Sequence, residues 1–289
     1  MTSPKKKLDP DNTIAFMGVE GTNGDLACRQ KYPYMHTLAC PTFEDVIQAV
    51  MDNQASLGLI PIENSHAGRV AEIHQLLPKM NLHIIGEHFQ PIEHHLLAPK
   101  GATLQTIKEV YSHPQGLLQC RAHLRELNLT TTHAYASTAA AAADVAKWND
   151  PSKAAVASAL AGELYGLVNL KPHIEDAKDN VTVFVTIARE PVDPDPEKEK
   201  VLTTLLFSIR NIPAALYKSL GGFATNGVNI LKLESYIPGG VSNAAQFFLT
   251  FEGHPKERAV QLTLEELGFF CKKVTVLGVY PADPARYKA

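Results

Sequence analysis

Short apolar runs alternate with amphipathic stretches along most of the chain. "TIAFMG" (13–18) reads as a buried strand that breaks into the turn "VEGTNG", and a helix follows from 25 to about 32. "PTFEDVIQAVMDNQ" (41–54) starts a helix at a Thr cap, with Asp45 three residues past Thr42. "SLGLIPIEN" (56–64) predicts a strand, "AGRVAEIHQLLPKM" (67–80) a helix and "LHIIGEHF" (82–89) a strand. "TIKEVYSHP" then leads into the helical runs "QGLLQCRAHLREL" and "STAAAAADVAKW", the strand "AAVAS" and the helix "ALAGELYGL". Such alternation predicts a parallel sheet covered by helices. "HLLAPKG" (95–101) reads as a crossing between two α/β lobes, with a return to the first near 175–185. One domain at 12–189 is expected, with 12–94 and 175–189 in lobe 1 and 95–174 in lobe 2.

"EPVDPDPEKEK" (190–200), three prolines among charges, predicts a linker that makes the C-terminal part a separable body. Beyond it the strand "VLTTLLFSI", the helix "PAALYKSLGGFATNG", the strand "VNILKLESYI", the turn "PGG" (238–240), the strand "SNAAQFFLTFEG", the helix "KERAVQLTLEELGFF" and the strand "KKVTVLGVYP" spell β-α-β-β-α-β. This is a ferredoxin-like unit at 201–282, with two helices on one sheet face. The uncovered face or edge is expected to pair with another copy of the chain.

The charge balance, 27 Lys plus Arg against 30 acidic residues, gives no basic field for nucleic acid or an anionic membrane. The one basic run, Lys5-Lys6-Lys7, lies in a polar leader, read as a disordered N-terminus with no signal-peptide core behind it. No apolar run approaches the roughly 18 residues of a membrane span, so a cytoplasmic protein is expected. Four scattered cysteines without a CxxC pair read as structural thiols. His94 and His95 suggest a metal pair, but adjacent strand residues face opposite ways, so no metal is expected.

Ligands of open α/β proteins bind where strands end and helices begin. Four such loops carry small polar residues: 18–24 ("GVEGTNG"), 63–68 ("ENSHAG"), 112–115 ("SHPQ") and Ser137-Thr138. Ser137 or Thr138 should cap the Ala-rich helix beside its positive dipole end. "GVEGTNG" fits neither phosphate-loop pattern.

The order of these loops resembles prephenate dehydratase over nearly the whole chain after residue 12. The matching elements are "GVEGTNGDLA", "PIENSHAGRV", "SHPQGLLQC", "STAAAA", "AGELYGL" and "IEDAKDNVTVFV" (174–185), the last at the family's NxTRF signature. The C-terminal unit resembles the ACT regulatory domain, with "NIPAAL" (211–216) and "LESY" (233–236) at its GAL and ESRP elements. The resemblance implies a two-lobed, periplasmic-binding-protein-like catalytic domain followed by a ferredoxin-like ACT domain. A periplasmic-type solute-binding protein also fits two lobes, but the C-terminal unit argues against it.

What the resemblance implies chemically is loss of CO2 and hydroxide from the dianion prephenate. Aromatisation drives the reaction, and no cofactor is needed. It implies Thr182 as the catalytic residue, a hydrogen-bond donor to the departing oxygen, and Thr22, Asn64, Ser65, Ser112, His113, Gln115, Ser137, Thr138, Asn180 and Phe184 as substrate-binding residues. It also implies phenylalanine as effector, bound between paired copies near Asn211, Ala214, Ala215, Leu216, Asn229, Leu233, Glu234 and Ser235, in a homodimer or homotetramer. Alternatives are an arogenate dehydratase and a non-catalytic small-acid-binding relative. The chain departs from the family at Val183, where the signature has Arg, and at Gly24, where the first loop has Ser. Candidate replacement cations are Arg69, Arg121, Lys178 and His113.

Overall fold

The computed structural model describes residues 9–236 and 245–288. The Lys5-Lys6-Lys7 leader and the turn expected at 238–240 lie outside the described residues. The first lobe is built from β1 (Thr13–Met17), α1 (Asn23–Lys31), β2 (His36–Cys40), α2 (Phe43–Met51), β3 (Leu57–Asn64), β4 (Gly68–Arg69), α3 (Ala71–Leu76) and β5 (His83–Pro91). Helix α2 shows how local sequence sets an element. Thr42 Oγ1 accepts the Asp45 N–H at 3.1 Å while the Asp45 carboxylate accepts the Thr42 N–H at 3.2 Å. This reciprocal cap aims Phe43, Val46, Ile47 and Val50, at helical spacing, into the core.

The second lobe holds β6 (His95–Ala98), β7 (Glu109–Ser112), α4 (Pro114–Gln119), α5 (Arg121–Glu126), β8 (Thr132–Ala134), α6 (Thr138–Trp148), β9 (Lys153–Ala157), α7 (Ala159–Tyr165) and β10 (Val168–Lys171). The chain then returns as β11 (Val181–Ala188), between β3 and β5. The sheet orders are β2-β1-β3-β11-β5, with β4 beside β3, and β10-β6-β9-β7-β8.

These sheets are mixed rather than parallel. β11 runs antiparallel to both neighbours because it re-enters lobe 1 from the far lobe, and β6, which leaves lobe 1, runs antiparallel to β9 and β10. The crossing expected at 95–101 is therefore partly a strand. The helical run at 115–127 is two helices meeting at Cys120.

The C-terminal unit has the expected order: β12 (Val201–Ile209), α8 (Ala215–Thr225), β13 (Ile230–Tyr236), β14 (Gln246–Glu252), α9 (Arg258–Phe270) and β15 (Cys271–Pro281), as an antiparallel sheet β13-β14-β12-β15. Two helices cover one face through Phe223, Val260 and Leu267. The other face is not left for a second copy. Leu202, Leu206, Phe248, Leu277 and Tyr280 share one apolar core with Ile60, Ile62, Ile73 and Ile84 of the first lobe. At Gly278 a Cβ would run into the Ile84 carbonyl, so β15 lies against β5 only because the residue is glycine. The sheet face expected to be free packs on lobe 1 because its own apolar residues complete that lobe's core.

The junction also carries charge. Glu87, 1% exposed, takes both a 2.8 Å and a 2.6 Å bond from the Arg286 guanidinium. Lys232 bonds Glu63 and, at 2.9 Å, Glu234. His74 and Glu234 lie 3.0 Å apart without hydrogen-bond alignment, and Arg69 donates to the Ser235 carbonyl at 2.8 Å. Even the linker is held, by Asp193 against His254 at 2.9 Å.

Candidate active site

A cleft of about 430 Å³ opens between the two lobes. Its walls come from the ends of β1, β3 and β11, the β3–β4 hairpin, and the starts of α1, α4 and α6. Three helix N-termini therefore border one cavity, and their dipoles favour negative charge in it. Ser137 caps α6, accepting the Ala140 N–H at 3.1 Å, and His113 Nδ1 caps α4 through the Gln115 N–H at 3.2 Å. Thr22 begins α1 without a side-chain cap; its hydroxyl donates to the Val19 carbonyl at 2.9 Å.

Thr182 is fixed by the pairing of β11 with β3, which sets it opposite Asn64. Its hydroxyl accepts from Asn64 Nδ2 at 3.0 Å, which leaves its own proton to be donated into the cleft. Asn64 is held in turn: Nδ2 also donates to Asn180 Oδ1 at 2.7 Å, and its Oδ1 accepts from the N–H groups of His66 and Ala67. One amide thus ties the hairpin turn to the return strand.

Of the residues expected to bind substrate, Thr22, Asn64, His113, Gln115, Ser137, Thr138 and Phe184 line the cleft with Thr182. Three do not. Ser112 is fully buried and donates to the Val156 carbonyl at 2.6 Å, bracing β7 against β9 behind the wall. Ser65 donates to the Asp179 carbonyl and accepts the Val181 N–H, and Asn180 is 3% exposed behind Asn64. Each is used by the backbone around the site. Sequence reading also missed His94 and Gln119, which face the cleft and each other, with Nε2 to Oε1 at 2.9 Å. The signal was a histidine at the point where the chain changes lobes.

Val183 faces away from Thr182, as strand alternation requires, toward Glu63, Phe89, Leu231 and Lys232. The signature Arg position therefore points to the junction with the C-terminal sheet. Among the candidate cations, Arg69 is the one Arg or Lys lining the cleft, while Arg121 lines a separate groove beside Leu124 and Thr130, and Lys178 is exposed elsewhere. Gly24 begins α1 tightly, since a Cβ there would come within 3.3 Å of Phe16 and 3.4 Å of the Met17 carbonyl.

His94 and His95 turn to opposite faces. On the far side His95 packs edge-on to His173 near Glu93. Asn169 holds His95 Nδ1 and the other two side chains are 55% exposed, so we assign no metal there. The four cysteines are buried and free, and burial pushes their thiols up, Cys40 to about 11. They pack rather than react.

At the expected effector site, α8 begins at Ala215 with Ala214 as its cap at φ 57°, so Asn211 caps nothing and Pro213 precedes the helix. Asn229 donates to Glu252 at 3.0 Å. Glu234 faces His74 and Lys232, and the Ser235 carbonyl is taken by Arg69, so both engage the first lobe. Leu233, on the opposite face of β13 from Glu234, is 37% exposed.

A family model described as prephenate dehydratase matches residues 14–192. The bifunctional N-acyl-homoserine lactone acylase/prephenate dehydratase of Komagataeibacter europaeus is 46% identical, over 97% of this chain and 100% of that protein. Arogenate dehydratase/prephenate dehydratase 2 of Arabidopsis thaliana is 35% identical, over 93% of this chain and 73% of that protein. A solved prephenate dehydratase from Arthrobacter aurescens, in complex with L-Phe, superposes with a TM-score of 0.85 at 29% identity, over 96% and 92% of the two chains. Among the described residues no helix is long and apolar enough to cross a membrane.

Proposed function

The chain belongs to the prephenate dehydratase family, and from that membership we propose that it converts prephenate to phenylpyruvate, CO2 and water without a cofactor. The observation that carries this reading is Thr182, its hydroxyl proton free, in a cleft bordered by three helix N-termini and Arg69. The helix dipoles and Arg69 offset the two substrate carboxylates, and Thr182 donates to the departing ring oxygen. One hydrogen bond to an oxygen that is gaining charge is worth about 10² to 10³ in rate. The catalytic part is taken as 12–189, joined by 190–200 to an ACT-type regulatory unit at 201–282. Purified protein mixed with prephenate is expected to form phenylpyruvate, read by its absorbance in base. Turnover of arogenate alone, or of neither acid, overturns the assignment.

Regulation belongs to the same reading. The Arthrobacter relative was solved with L-Phe, and the ferredoxin-like unit leaves 211–216 and Leu233 away from the lobe junction. Phenylalanine is proposed to bind there between copies in a homo-oligomer. Calorimetry without heat of phenylalanine binding at millimolar concentration counts against it.

A second reading comes from the Komagataeibacter relative, whose name includes an acylase activity. The cleft wall of Met17, Phe43, Leu59 and Phe184 offers an apolar surface for an acyl chain. Release of homoserine lactone from an N-acylated form tests it directly.

A further inference from the structure

Two buried polar atoms of cleft-lining residues have no partner: Asn23 Oδ1 and His94 Nδ1. Only the second can titrate. His94 is 3% exposed and pinned on its other sides. Its Nε2–H donates to Gln119 Oε1 at 2.9 Å, its backbone N–H to Glu175 Oε2 at 2.8 Å, and its carbonyl accepts the Ile174 N–H at 2.9 Å. The return segment between the lobes and the end of α4 thus hold this one residue in place. A buried polar atom without a partner is costly, and this one belongs to a residue in the wall of a ligand cavity.

We propose that His94 is the general acid of the dehydration, carrying on Nδ1 in the substrate complex the proton that the leaving oxygen takes. The inference rests on the dehydratase reading. Hydroxide leaves a ring carbon well only if a proton goes with it. Thr182 gives a hydrogen bond but no net proton, because an aliphatic alkoxide is far too basic to persist near neutral pH. The titratable side chains lining the cleft are Arg69, His94 and His113. Arg69 stays charged. His113 already uses Nδ1 as the acceptor that caps α4. In His94 the Gln119 bond keeps a proton on Nε2 in either charge state, so the proton that comes and goes is the one on Nδ1.

Charge supplies the timing. In the free protein burial holds His94 below the usual histidine range, against the Gln119 bond and the Glu175 charge. Around it stand Glu175 on the return segment, Glu93 and His95 on either side of it in the chain, His113 at the head of α4 and Arg69 on the hairpin across the cleft. His95 is itself pushed toward its neutral form, by burial first and then by His173. A dianion entering this cavity meets one permanent cation, Arg69, and favours a second on His94. In the step, the ring C–O bond breaks with its electron pair going to oxygen, which takes the Nδ1 proton and departs as water. The electron pair of the ring-carboxylate bond moves into the ring as CO2 leaves. His94 ends neutral and is reprotonated from solvent, so each turnover consumes one proton.

His94→Asn keeps a polar group near the Nδ1 position but no transferable proton. With an unchanged melting curve, its kcat on prephenate is expected to fall by about 10² to 10⁴, with KM moving much less. Wild-type kcat should decline as pH rises between about 6 and 9, and that limb should vanish in the variant. A packing role alone would not move the pH profile. Wild-type kcat in the variant, or a flat wild-type profile over that range, overturns the proposal. The wild-type profile decides by itself if the variant does not fold. Absence of prephenate turnover in the wild type would instead remove the dehydratase reading.

Discussion

At Thr182 one hydroxyl accepts from Asn64 and keeps its proton for the cleft, so its removal at constant volume isolates that proton. Thr182→Val is expected to lower kcat by about 10² to 10³ while raising KM little, since the donor matters most when the oxygen carries charge. Steady-state kinetics on prephenate check it, and unchanged kcat would reduce Thr182 to packing. The next residue shows what motif reading missed. Restoring the family Arg at Val183 looks from sequence like a way to lower KM. Alternation already puts residues 182 and 183 on opposite faces, but what lies on the second face is a tertiary fact. There Val183 meets Glu63 and Lys232. Val183→Arg should therefore leave KM nearly unchanged and compete with Lys232 for Glu63. Ser112, Ser65 and Asn180 were legible as part of the site, but sequence could not separate the residues that line the cleft from those bracing the backbone one layer behind.

Elements with a strong local signal were legible: the capped, amphipathic α2 and the Ser137-capped α6 both formed as read. Those without one were not. β2 and β8 are three to five residues long and largely exposed or half-buried, β6 is buried throughout, and β10 alternates over four residues only, so none carries a long enough pattern to stand out. Strand direction is invisible to periodicity, which is why mixed sheets were read as parallel. Close approach is equally hidden. Gly278 looks like any strand glycine, yet a methyl there must push β15 off the Ile84 carbonyl. Gly278→Ala is expected to destabilise the protein by about 1–3 kcal/mol or more, read as a lowered denaturation midpoint in urea. An unchanged midpoint would mean the two strands separate without cost.

The Pro-rich linker suggests a detachable C-terminal unit, but the shared core of Ile62, Ile84, Leu206, Phe248 and Tyr280 shows two bodies that complete each other. Truncation after Glu190 would strip that core and should give poorly folded protein instead of an uninhibited enzyme. Within the junction, Arg286 keeps its charge although burial opposes it, because the Glu87 carboxylate outweighs that burial. Arg286→Met leaves the buried Glu87 carboxylate without its cation and should cost about 3–5 kcal/mol, measured by denaturant unfolding. The same junction would give the proposed regulation by phenylalanine a physical route. Phenylalanine inhibits only if it binds one arrangement of the two units better than another. β13 carries Leu233 on the proposed effector side. It reaches the cleft through Lys232 to Glu63, the neighbour of Asn64, and through the Ser235 carbonyl to Arg69. Lys232→Met keeps the methylene stem and removes the charge that ties β13 to β3. Turnover without phenylalanine should change little, because Lys232 does not line the cleft. Coupling should weaken by about 0.5–2 kcal/mol, seen as a rightward shift of the phenylalanine inhibition curve at fixed prephenate. A curve that coincides with wild type would place the transmission elsewhere in the junction.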